Sequence, residues 1–185
     1  RALAGDIAPV DIITVDPDGD GYAKTDAVGF VAAQQLILFV FLMSIVAASA
    51  LIQSRQLGVT QRMMATPATA AQIIVGEGLG RFGVAVILGA GFVGATAVLF
   101  GLDWGSWPAT GAIIVSFALV ATAAAVFVGA VVTNENQSLA IGLGLGLSLA
   151  ALGGCMAPFE VFPGWLRSVA HITPHAWAID AFTEV

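Results

Sequence analysis

From residue 28 to residue 52 the chain runs through VGFVAAQQLILFVFLMSIVAASALI without one charged side chain. A helix needs about 20 consecutive apolar residues to cross the hydrocarbon core of a bilayer. In that medium every backbone N–H and C=O must find a partner inside the protein, which leaves helices and closed barrels as the spanning structures. Three more apolar runs follow, at about 73–100, 109–132 and 139–152. Only 10% of the 185 residues are charged and 58% are hydrophobic, whereas soluble domains are about 25% charged. Mean hydropathy is +0.95. The reading is an all-α, multi-pass integral membrane protein with four spans.

The charges are unevenly placed. Six of the twelve acids (Asp6, Asp11, Asp16, Asp18, Asp20 and Asp26) fall in the segment 1–26. Six basic residues without a cluster give nucleic acid no electrostatic footprint. A lone cysteine, Cys155, excludes an intrachain disulfide. Basic residues in short loops mark the cytoplasmic side. Arg55 and Arg62 therefore place the loop between the first two runs inside, while 101–108, with Asp103 and no base, lies outside with Trp104 and Trp107 suited to the headgroup belt. The acidic segment 1–26 is then extracytoplasmic, and Arg167 on the outer side is a counter-signal. The stretch 153–180 is apolar but broken by Pro158, Pro163 and Pro174, which reads as a hairpin or re-entrant pair of short helices.

Several motifs invite chemistry. Asp16, Asp18, Asp20 and Gly21 match the first half of an EF-hand loop, but Ala27 stands where the closing carboxylate belongs. A solvated Asp/Gly turn is the simpler reading and a weak divalent-ion site the alternative. Glu77 and Arg81, four apart, share a helix face. They form either an anchoring ion pair or one that matters for coupling or gating. His171 and His175 have no third ligand nearby, so no metal is expected; they read as interfacial histidines beside Trp177. Ser148 lacks a base, and no GxxxxGK[ST] phosphate loop exists. The chain is not read as an enzyme and binds no cofactor itself. Small residues at four-residue spacing, Gly76 with Gly80, Ala90 with Gly94 and Gly142 with Gly146, let helices approach closely, within the bundle or between subunits.

The most polar internal run, QSRQLGVTQRMMATP at 53–67, reads as a short amphipathic helix with Leu57, Val59, Met63 and Met64 mostly along one side. Such a helix can dock into a groove of a soluble partner. Pro67 ends it, and Thr66 or Thr69 caps the next helix.

This run resembles the loop after the second membrane helix in permeases of ABC-2 type transporters, the type V exporter class. The matching positions are Gly58, Val59, Thr60, Arg62, Met63, Met64, Ala65, Thr66 and Pro67; Ser54 and Gln56 stand where that family usually has acidic residues. The stretch GGCMAPFEVFPGWLRSVAHITPHAWAIDAF resembles the family's segment after its fifth helix, through Gly153, Gly154, Pro158, Pro163, Trp165, Leu166, Pro174 and Trp177. The resemblance covers about 28–185. It implies a helical-bundle fragment holding helices two to five, with one helix missing before it, an external re-entrant hairpin at about 153–180 and a sixth helix beyond Val185. It also implies a cytoplasmic coupling helix at about 53–68 that engages an ATP-binding cassette subunit through Arg55, Gly58, Arg62, Met63, Met64, Thr66 and Pro67. ATP and Mg enter through that partner, and a second permease copy completes a homo- or heterodimer. The function so implied is the permease subunit of an ATP-driven exporter in the cytoplasmic membrane, moving a hydrophobic or amphipathic cargo of drug, lipid or glycan type. The alternative is a secondary transporter or channel without ATP, which would want charges near mid-bilayer.

Overall fold

The computed structural model describes residues 27–185, so the acidic segment 1–26 and the carboxylates Asp16, Asp18 and Asp20 lie outside the described residues. Among the described residues all regular structure is helical.

The first apolar run forms α1 (Ala27–Val46) and α2 (Ala48–Gln56). Together they make one 29-residue stretch from Val28 to Gln56, long and apolar enough to cross a membrane, with the helix interrupted at Ala47. Ser44 and Ser49 donate back to the Val40 and Val46 carbonyls at 2.7 and 2.8 Å, and Ala50 N bonds Ala47 O at 3.2 Å, an i to i+3 tightening. Serine back-bonding of this kind bends helices. At 1.5 Å per residue the span is about 43 Å long, well beyond a core of about 30 Å, so one end must emerge.

A short helix α3 (Val59–Met64) leads to α4 (Ala70–Phe100) and then α5 (Trp107–Val131), both long and apolar enough to cross a membrane. The fourth expected span differs. Helix α6 (Glu135–Leu152) opens with the polar residues Glu135–Ser138, capped by Asn134. Its apolar remainder covers only about 21 Å, so among the described residues three helices rather than four are long and apolar enough to cross alone. After α6 come a single 3-10 turn (Phe159–Val161), α7 (Gly164–Ala170) and α8 (Pro174–Thr183).

Helix α1 is the central post, touching α4, α5, α6 and α8. Leu36, Ile37, Val40, Phe41 and Ile45 form the core with Phe117, Ala118, Ala121 and Ile179, while Ala48, Ile52, Ala125 and Val128 make a second cluster toward the α2 end. The small-residue pairs divide. A side chain at Gly142 would overlap Ile45, and one at Gly146 would meet Leu42 Cδ1 at 3.0 Å, so this pair lets α6 lie directly on α1. Gly76, Gly80, Ala90 and Gly94 pack on nothing of the kind: no atom lies within 4 Å of a Cβ built on the three glycines, and Ala90 is exposed.

Candidate functional site

The candidate site is the loop from Gln53 to Thr69, together with the helix ends that carry it. Sequence spacing suggested one helix from Gln53 to Met64. The structure breaks it at Gly58, whose φ of 71° is left-handed. That conformation is cheap for glycine and costly for other residues. Gly58 N bonds Arg55 O at 3.1 Å and Leu57 N bonds Gln53 O at 2.9 Å, which closes α2. Helix α3 then starts afresh in a new direction. Its exit is equally well specified: Thr66 Oγ1 donates to Met63 O at 2.6 Å, and Pro67 has no N–H with which to extend the helix. Thr69 and Gln72 then exchange bonds as a capping box that starts α4.

None of the α3 residues is buried. Leu57 and Met64 are more than half exposed, and Val59 and Arg62 are exposed beside them. The apolar side chains, split across the Gly58 break, thus form an uncovered patch with one guanidinium at its edge.

Arg55 sits differently from Arg62. Its Nη1 donates to Gly129 O at 2.9 Å, in the last turn of α5, and Gln56 Nε2 reaches Thr133 O at 3.3 Å. A cation is favoured at a helix C-terminus, where carbonyls lack partners. Gly129 permits the approach, since a Cβ there would press on Leu51 Cδ1 at 2.7 Å. Arg55 therefore clamps α2 to α5, whereas Arg62 is exposed on α3.

Glu77 and Arg81 do pair, at 3.1 Å, with side chains 28% and 12% exposed. Arg81 Nη1 also donates to the carbonyl of Ala47, the residue at the bend of the first span. The pair thus ties α4 to that bend, a tertiary link that i,i+4 spacing alone does not reveal. The loop is held at three points: Arg55 on α5, Arg81 on the bend, and the capping box at Thr69.

At the opposite end of the bundle the three prolines begin helical turns rather than break them: Pro158 precedes the 3-10 turn, Pro163 precedes α7 and Pro174 is the first residue of α8. Gly153 lies against Thr173 and His175, where a Cβ would not fit, and Gly154 has φ 85° while its carbonyl accepts from Gln34 Nε2 at 2.6 Å. Trp165 is exposed. Trp104, expected in a headgroup belt, is instead buried on Phe182 and donates to Thr96 Oγ1 at 3.1 Å; Trp107 is exposed.

The two histidines part company. His175 is fully buried, edge-on to Phe41 and Phe117, with no hydrogen-bond partner on either ring nitrogen among the described residues. His171 lies at the surface with Asp180, a residue that sequence reasoning passed over because nine positions separate the two across a turn. No group of three or more potential metal ligands occurs among the described residues.

The sequence profile of the ABC-2 type transporter family matches residues 19–185. The linearmycin resistance permease protein LnrN of Bacillus subtilis (strain 168) is 29% identical over 155 residues, which is 83% of this chain and 40% of that relative. The chain thus spans well under half of the relative's length. No solved structure matches. With the matched profile running through both the α2–α4 loop and the proline-punctuated end, this chain belongs to the ABC-2 type transporter family.

Proposed function

We propose that the chain is the core of the permease in an ATP-driven exporter, with ATP hydrolysed by a separate ATP-binding cassette subunit that docks on α3. The observation behind this is the short helix α3, none of whose residues is buried, mounted between a left-handed glycine and a capping box. An apolar patch without a covering element is the usual mark of a partner site. Leu57, Val59, Met63 and Met64 would enter a groove of the partner, and Arg62 would meet a carboxylate at its rim. Gly58, Thr66 and Pro67 fix the angle at which α3 is presented. Arg55 acts from behind, by holding α2 on α5.

Movement of α3 on nucleotide binding would pass to the spans along two routes, Arg55 to α5 and the Glu77–Arg81 pair to the bend at Ala47. Packed spans then shift as rigid bodies about that bend. In this reading α3 is cytoplasmic, and the α7–α8 hairpin is extracytoplasmic and re-entrant. The membrane is the cytoplasmic one, and a second permease copy lines the path.

Between α1 and α6 the charges are Arg55, Arg62, Glu77, Arg81, Asp103 and Glu135, and apart from the Glu77–Arg81 pair all lie in loops or at helix ends. So apolar a set of spans suits a hydrophobic or amphipathic cargo better than an ion. A relative named for resistance to linearmycin supports an exporting direction. The test is uptake of an amphipathic dye into inverted membrane vesicles holding the full-length permease and its ATP-binding subunit. Transport that requires ATP and survives collapse of the proton and sodium gradients is expected. Transport driven by an ion gradient without nucleotide would overturn the reading.

A further inference from the structure

The end of the bundle opposite α3 carries a side-chain cluster that the proposed function does not use. His171 closes α7, and its imidazole is stacked near Phe159 and edge-on to Trp177, with ring centroids 5.6 and 5.5 Å away. Its Nδ1 lies 2.8 Å from the Arg167 carbonyl within α7, and its Nε2 lies 2.7 Å from Asp180 Oδ2 on α8. The His171 carbonyl accepts from Trp177 Nε1 at 2.7 Å, a second tie between the same two helices.

Both ring nitrogens therefore face acceptors. A neutral imidazole has one N–H and can satisfy one of them; the imidazolium has two and satisfies both. The geometry thus fits a singly charged ring bridging α7 and α8. We propose that His171 and Asp180 form a proton-dependent latch that closes the α7–α8 hairpin when the imidazole is protonated and loosens it when the ring is neutral.

The charged groups acting on the ring support this. The Arg167 carbonyl and then the Asp180 carboxylate hold the His171 pKa above its ordinary value of 6.5, outweighing the guanidinium charge of Arg167 and a slight desolvation. Asp180 comes from α8 and Arg167 from α7, while the faces offered by Phe159 and Trp177 are aromatic. A folded-state pKa raised above the unfolded one means that the contribution is fully present below about 6.5 and is lost as pH rises through the folded value.

Hydrogen exchange of the full-length permease in lipid nanodiscs, read by mass spectrometry from pH 5 to about 8.5 and corrected for intrinsic rates, tests the latch. Peptides covering 159–183 should lose protection several-fold as pH rises above about 6.5, with no matching step in α4 or α5. The step should vanish in His171→Gln and move to lower pH in Asp180→Asn. A flat wild-type profile overturns the proposal, and so does a step that remains in His171→Gln. Should His171→Gln fail to fold, Asp180→Asn decides, and an unmoved midpoint overturns it.

Discussion

At the scale of single residues, the side chains that matter most are those that reach another helix. Arg81 contacts both Glu77 and the Ala47 carbonyl, so its removal strips a hydrogen bond from the bend and leaves a carboxylate largely out of water. Arg81→Ala should cost about 1–3 kcal/mol, measured as thermal stability of the full-length protein in detergent. Because the two residues share one interaction, adding Glu77→Ala should cost little more and fall short of the sum of the singles. Glycines divide in the same way. Gly142→Ala forces a methyl into Ile45 and should destabilise by about 1–3 kcal/mol. Gly76→Ala meets open space and should be neutral or stabilising by up to about 1 kcal/mol. Equal effects at the two positions would show that α6 does not lie on α1 as described.

At the scale of elements, the turn at Gly58 decides how α3 is presented. Gly58→Ala imposes a left-handed conformation on a residue with a Cβ, at a cost of about 1 kcal/mol. It should let α2 run straight into α3. The global fold should survive, because α3 buries nothing, while cargo-stimulated ATP hydrolysis with the partner subunit drops several-fold. Unchanged stimulation would mean that the angle of α3 is immaterial. Much of this was legible in sequence. The apolar runs gave three spans to within a few residues, because length and hydropathy are local properties. Pro67 and Thr69 marked the loop exit by their backbone chemistry. The break in the amphipathic run was missed because periodicity counts residues on a face and does not register one residue with positive φ. The fourth run, 139–152, marked the apolar part of α6, but the helix itself begins earlier, at the polar residues 135–138.

At the scale of the molecule, a chain of local rules says little about which helix end meets which. The reach of Arg55 to Gly129 spans 74 positions and that of Arg81 to Ala47 spans 34; neither leaves a mark in local spacing. The same holds for His171 with Asp180, whose partnership depends on the turn between α7 and α8. In the proposed function the Arg55 and Arg81 contacts make up one mechanical path, from the exposed end at α3, through the bend of the first span, to the packed core around α1. The central claim is that this path begins at a docked ATP-binding subunit. The most direct test is co-purification of that subunit with the full-length permease, wild type against the double variant Arg62→Glu and Met64→Glu. Since Arg62 and Met64 are both exposed on α3, the variant should insert and remain as stable as wild type. A stoichiometric ATP-binding subunit with the wild type, lost in the double variant, is the result this account predicts. An equally tight complex with the variant, or a wild-type permease that carries no such subunit, would contradict it.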